Sequence, residues 1–140
     1  MIGVVVVSHA NIAKELLEVI QHIVGPQEKI IAISIFPEDD MKKKRQEIID
    51  AVKNVDSGKG VVVLTDMFGG TPSNLAISVM EKEKVEVVAG VNLPMLIKMM
   101  SIRGDKSIKD LIKISQESGR KYINVASAFF EEQKDWDKKK

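Results

Sequence analysis

Residues 2–11 read Ile2-Gly3-Val4-Val5-Val6-Val7-Ser8-His9-Ala10-Asn11, and the first half of this stretch decides the fold. β-Branched side chains dominate Ile2 to Val7, and no polar residue alternates with them. Such a run reads as a strand buried on both faces rather than on one. A strand of that kind requires a parallel sheet with helices above and below it. The apolar stretch Met1 to Val7 is too short for a transmembrane span or a signal peptide, and no basic region precedes it. A cytoplasmic location is therefore expected, with any membrane role reached through a partner.

Working outward, short apolar runs alternate with amphipathic stretches. Ile12, Leu16, Ile20 and Ile23 fall at helical spacing, Leu17 and Val24 widen the stripe, and Gly25-Pro26 ends it. Ile30 to Phe36 predicts a second strand, followed by a helix that Asp39 or Asp40 opens and that runs to about Val52. A third strand is read over Val61 to Thr65, with a helix from about Pro72 to Lys82. A fourth strand, Val85 to Val91, leads into a helix over Pro94 to Met100, whose Met95, Met99 and Met100 read as core or interface filler. Ser107 to Ser118 predicts a further helix, carrying Ile108, Leu111, Ile112 and Ser115 on one side and capped by Gly119. Tyr122 to Val125 reads as a last short strand, and the charged residues Glu131 to Lys140 as a fraying tail. The expected architecture is one doubly wound α/β domain over residues 1–126, with 127–140 as a charged C-terminal tail.

Composition narrows the function. Lys plus Arg number 21 against 20 Asp plus Glu, so net charge of +1 draws the chain to neither nucleic acid nor an anionic membrane. The absence of cysteine removes disulfides, thiolate nucleophiles and thiolate metal sites together.

In doubly wound sheets, ligands bind at the carboxyl ends of the strands. Three loops at that edge carry unusual residues: Ser8 to Asn11, Asp66 to Asn74, and Asn92 to Pro94. His9 is one of only two histidines, and neutral imidazole is a good nucleophile toward phosphorus. The other, His22, lies within the first helix and reads as a surface or boundary residue. Asp66 ends the strand expected beside the first, where its carboxylate can accept a hydrogen bond from His9 Nδ1 and leave Nε2 free to attack.

Gly69-Gly70 permits positive φ and close backbone approach, while Thr71 suits an N-cap and Pro72 the first helical position. The helix that follows aims free N–H groups, Ser73 among them, at a place where an anion such as a phosphoryl group can be held. Neither Gly-x-x-x-x-Gly-Lys-Ser/Thr nor Gly-x-Gly-x-x-Gly occurs where a nucleotide or dinucleotide site needs it. Glu38-Asp39-Asp40 invites a metal reading, but acidic residues at a helix start followed by Lys42 to Arg45 fit a solvated capping segment better. No metal or cofactor is expected.

Val7-Ser8-His9, the run Leu64 to Asn74 (Leu-Thr-Asp-Met-Phe-Gly-Gly-Thr-Pro-Ser-Asn) and the run Ala89 to Leu96 (Ala-Gly-Val-Asn-Leu-Pro-Met-Leu) together resemble the mannose/fructose-type enzyme IIA family of the bacterial sugar phosphotransferase system. The likeness extends over Met1 to Ala126. It implies a phosphocarrier whose His9 is phosphorylated on Nε2 by phospho-HPr, with Asp66 orienting the ring and Thr71 supplying a nearby hydroxyl. Gly69, Gly70, Thr71 and Ser73 would bind the phosphoryl group, and Met67 and Phe68 would offer apolar area to docking partners. The family's acceptor is a IIB protein or domain, which serves a membrane IIC/IID complex. A homodimer is implied too, with Tyr122 to Val125 exchanged as an antiparallel strand. Since some relatives continue into a IIB domain, the chain is either a separate IIA subunit or part of a longer one. An aspartate-phosphorylated receiver domain lacks its acidic pair here. The remaining rival is a phosphate-responsive regulatory domain with no role in sugar transport.

Overall fold

The alternation along Val4 to Val7 sorts the core. Val4 and Val6 enter one apolar cluster with Val62, Leu64, Ile20, Leu96, Met99 and Leu111. Val5 and Val7 enter a second cluster with Val61, Val63, Ile33, Ile48, Val55 and Ala76. A period of two residues thus supplies both faces of one sheet. The computed structural model describes the backbone of residues 1–139 and the side chains of residues 1–133.

The elements follow in the order β1 (Gly3–His9), α1 (Ile12–Val24), β2 (Ile30–Ile35), α2 (Met41–Val55), β3 (Val61–Thr65), α3 (Thr71–Ser78), β4 (Val85–Ala89), α4 (Leu93–Ile102), α5 (Ile108–Lys121) and α6 (Ala126–Lys139). The four strands lie in the order β2-β1-β3-β4 and all pair in parallel. α1 and α4 cover the Val4/Val6 face, with α5 packed on α4, while α2 and α3 cover the Val5/Val7 face. The doubly wound reading is the fold found.

Several boundaries differ from the sequence reading. α3 stops at Ser78, because Glu81 bridges Val85 and the turn between them closes on Glu83 at φ 66°. Gly119 does not cap α5 but lies buried inside it, where a Cβ would sit 3.2 Å from Met95 Cβ. The glycine lets α5 approach α4, and Asn92 ties the pair by donating from Nδ2 to Gly119 O at 3.0 Å.

Tyr122 to Val125 is no strand within the chain. Ile123 N bonds back to Arg120 O at 3.4 Å, and Tyr122, Ile123 and Val125 are exposed. A strand needs a neighbour for its ladder, and no described strand lies beside this segment. Where a fraying tail was expected, residues 126–139 form α6, whose Ala, Glu, Gln and Lys are good helix formers. Residue 140 lies outside the described residues. Among the described residues, no helix is long and apolar enough to cross a membrane.

At the amino end of the sheet sits Arg103, which composition gave no reason to single out. It is only 2% exposed, so its charge must be satisfied by the chain itself. Its guanidinium donates to Lys29 O at 2.9 Å, Gln27 Oε1 at 3.3 Å and Ile2 O at 3.5 Å, and closely to Glu28 O. Desolvation lowers its pKa, against which the Glu28 charge works. The residue closes the starts of β1 and β2, far from the carboxyl edge where chemistry is expected.

Candidate functional site

From β1 the chain moves outward to β2, then crosses to β3 on the other side of β1. The crevice between the carboxyl ends of β1 and β3 is therefore the topological switch point, the place where such sheets bind ligands. His9 is the last residue of β1, and Asp66 immediately follows β3.

Alternation sends Ser8 and His9 to opposite faces of β1. Ser8 takes the Val4/Val6 side beneath α1, and His9 takes the Val5/Val7 side, toward the N-terminus of α3. There His9 Nδ1 lies 2.9 Å from Asp66 Oδ2. The same oxygen accepts the backbone N–H of His9 at 2.9 Å, and Asp66 Oδ1 accepts that of Met67 at 2.9 Å. Burial pushes the Asp66 carboxyl up, but these three bonds and the charge of the His9 ring outweigh it. The net result lies below the ordinary 3.8. An ionised carboxylate only accepts, so in the neutral ring it is Nδ1 that carries the hydrogen and Nε2 that keeps its lone pair. The imidazole is 47% exposed above a carboxylate that is 13% exposed, so the ring meets solvent while the group it is bonded to is shielded.

The two glycines divide the roles that the sequence assigns them jointly. Gly69 supplies the positive φ, at 88°, with open space around it. Gly70 has φ −125° and instead supplies the close approach: a Cβ there would lie 2.6 Å from His9 Cε1 and 2.8 Å from Nε2. The cap shifts by one residue from the expectation. Gly70 is the N-cap of α3, Thr71 opens the helix and Pro72 follows, because Gly70 holds the extended conformation that a cap requires.

The hydroxyl of Ser73 is buried and donates to Gly70 O at 3.0 Å, which Asn74 N also reaches at 3.1 Å. The amides of Gly69, Gly70, Thr71 and Ser73 have no acceptor among the described residues, and the Thr71 hydroxyl is likewise unbonded. These free donors stand at the N-terminus of α3, whose Gly70 lies against the His9 ring.

The other candidate loops do different work. Asn92 caps α4 through Met95 N at 3.0 Å and holds α5, so the third loop is structural. In the acidic segment, Asp39 Oδ2 accepts Phe36 N at 2.8 Å and Asp40 Oδ1 accepts Lys42 N at 2.9 Å, which is the capping arrangement. Exposed His22 lies in the last turn of α1, and Met95, Met99 and Met100 are buried core. A cavity of about 740 Å³ follows the free edge of β4 and includes neither His9 nor Asp66. Ile12, Phe36, Met67 and Phe68 stay exposed at the sheet edge that carries His9.

Comparison with known proteins identifies the family. A model of the family described as "PTS system fructose IIA component" matches residues 3–116. The fructose-specific EIIA component of Bacillus subtilis is 30% identical over 135 residues, covering 96% of this chain and 92% of that protein. The mannose-specific EIIAB component of Escherichia coli is 33% identical over 129 residues, covering 91% of this chain. The chain spans only 40% of that relative's length. Among solved structures, the phosphotransferase component EIIA of Streptococcus agalactiae superposes with a TM-score of 0.82 at 27% identity, covering 91% of this chain and 99% of that one. The mannose/sorbose-specific IIA subunit of Enterococcus faecalis gives 0.78 at 26% identity, covering 89% and 93%. With the histidine and its carboxylate at the switch point and the family match running through both loops, the chain belongs to the mannose/fructose-type IIA family of the sugar phosphotransferase system.

Proposed function

We propose that this chain is a phosphocarrier in which His9 takes a phosphoryl group on Nε2 from phospho-HPr and passes it to a IIB protein or domain, for sugar uptake through a membrane IIC/IID complex. One observation carries the reading: His9 Nδ1 is held 2.9 Å from Asp66 while Nε2 lies against the Gly70 backbone. The Nε2 lone pair forms the new N–P bond as the donor imidazole leaves along the opposite axis. The hydrogen on Nδ1 stays in its bond to Asp66, whose charge stabilises the imidazolium character that develops. Free amides of Gly69, Gly70, Thr71 and Ser73 take the equatorial oxygens, and the unbonded Thr71 hydroxyl adds a donor. The exposed Met67 and Phe68 supply apolar area for docking.

The working unit spans residues 1–126 and is a homodimer, with 127–140 as a charged appendage. The exposed Tyr122, Ile123 and Val125, together with the free edge of β4, favour strand exchange between two copies. Intact mass after incubation with phosphoenolpyruvate, enzyme I and HPr tests the central claim. The wild type should gain about 80 Da in acid-labile form, and His9→Ala should gain nothing. Stoichiometric labelling of His9→Ala would remove His9 from the mechanism.

A further inference from the structure

The turn that follows β1 is held by a side chain with no part in the chemistry so far. Ser8 is fully buried, yet its hydroxyl is completely engaged. Oγ accepts the N–H of Ala13 at 2.7 Å, and its hydrogen is shared between the carbonyls of His9 at 3.1 Å and Ala10 at 3.3 Å. It thereby does the work of a helix cap for α1, since the side chain of Asn11, at the N-cap position, makes no capping bond.

The turn needs such a tie. Ala10 stands at φ 49°, in the left-handed region that L side chains avoid, and its N–H bonds Ile35 O at 2.9 Å. His9 is thus gripped on both sides: Asp66 takes its N–H and its ring, and Ser8 takes its carbonyl.

We infer that Ser8 is a positioning residue for the phosphoacceptor, whose hydroxyl fixes the β1–α1 turn so that the His9 ring keeps Nδ1 on Asp66 and Nε2 against Gly70. The reach of a side chain bonded only to backbone is indirect, so the ring itself must be read out. Loss of the hydroxyl frees the His9 and Ala10 carbonyls and lets the turn relax. The ring then samples orientations in which Nδ1 leaves the carboxylate.

The kinetic part of this inference rests on the phosphocarrier reading, but the ring orientation does not. The experiment therefore has two arms, on wild type, Ser8→Ala and Ser8→Thr. The ¹⁵N signals of the unphosphorylated His9 imidazole report the tautomer, and initial rates of labelling at varied phospho-HPr report transfer. Ser8→Ala should lose the uniform Nδ1-protonated signature and show kcat lowered on the order of tenfold, with KM within about twofold. Ser8→Thr, which keeps the hydroxyl, should restore both. An unchanged His9 tautomer in Ser8→Ala overturns the inference whether or not HPr labels the wild type. So does a Ser8→Thr variant as impaired as Ser8→Ala, which would assign the loss to packing. A wild type that is never labelled sinks the phosphocarrier reading alone and leaves the tautomer to decide the role of Ser8.

Discussion

Gly70→Ala isolates one geometric demand of the site. The backbone of Gly70, at φ −125° and ψ 173°, is open to any residue, so alanine introduces no conformational strain. Its methyl, however, would lie 2.6 Å from His9 Cε1 and 2.8 Å from Nε2. Nonbonded carbons settle at about 3.5 Å or more, so ring and loop must part by roughly 1 Å. The loop has little freedom to yield, because Gly70 O is held by Ser73 Oγ at 3.0 Å and Asn74 N at 3.1 Å. The half-exposed ring is the softer partner, and it swings off Asp66 toward solvent. Since it moves into water rather than into packed neighbours, the stability cost stays at the low end of overpacking, about 1 kcal/mol. A misplacement near 1 Å at the reacting atom costs on the order of a hundredfold in rate. Rapid-quench transfer from phospho-HPr, beside a urea melt of the same variant, measures both. Gly69→Ala is the contrast, with a strained φ of 88° but open space, so it should cost stability more than rate. Transfer by Gly70→Ala within about threefold of wild type would refute the argument that this backbone shapes the ring's position.

The remaining predictions concern the two charged anchors. Asp66→Asn should slow transfer on the order of a hundredfold while preserving the fold, and an unchanged rate would remove Asp66 from the mechanism. The Asp66 carboxyl has a native pKa below 3.8, so its stabilisation is complete above its unfolded value and lost as pH falls through the native one. The stability deficit of Asp66→Asn in urea melts should therefore shrink as pH drops below about 4, and a deficit that grows there would contradict the sign. Arg103→Met removes donors to three backbone carbonyls and to Gln27. It should destabilise by about 3 kcal/mol, roughly 10 °C in Tm, with transfer unaltered at temperatures where the variant is folded. A melting temperature unchanged by that substitution would show that the buried guanidinium is not needed.

How much of this was legible depended on the range of the interactions. The strands were readable because two-sided burial leaves a local trace, the β-branched runs Val4 to Val7 and Val61 to Val63. Topology then led from strands to candidate site without any contact information: parallel alternation puts the carboxyl ends of the strands at one edge, and His9 and Asp66 stand at two of them. The onset of α2 was readable to within a residue, as Asp39 or Asp40, for the same local reason, and Asp40 is the cap found. Arg103 was not readable, because an arginine at a helix end looks solvent-facing until Gln27, Glu28, Lys29 and Ile2 come round it from 74 or more residues away. Gly119 misled for a related reason: at the end of an apolar stripe, a helix stop and a helix–helix contact call for the same residue. Tyr122 to Val125 carried the composition of a strand, but composition cannot supply a strand's neighbour.

The alternation of β1 also decides which residue is presented to Asp66. Had the register slipped by one position, Ser8 would face α3 and His9 would lie buried under α1, far from the carboxylate. The slip is prevented along the length of the strand, since it would exchange the residues of the two apolar clusters, and by Gly3. A Cβ at Gly3 would meet Val55 O at 2.4 Å, so only a glycine fits beneath the end of α2. The position of His9 is thus enforced by packing along the whole of β1, down to the end opposite the ring. Local bonds from Ser8 and Asp66, and the missing side chain of Gly70, then refine it. Under the proposed function, a carrier that meets a donor and an acceptor in turn would need such an arrangement. Everything that fixes the ring lies behind or beside it, at Asp66, Gly70 and the buried Ser8 and Ser73. The exposed part of the His9 ring and the apolar rim of Met67 and Phe68 remain in front, facing solvent.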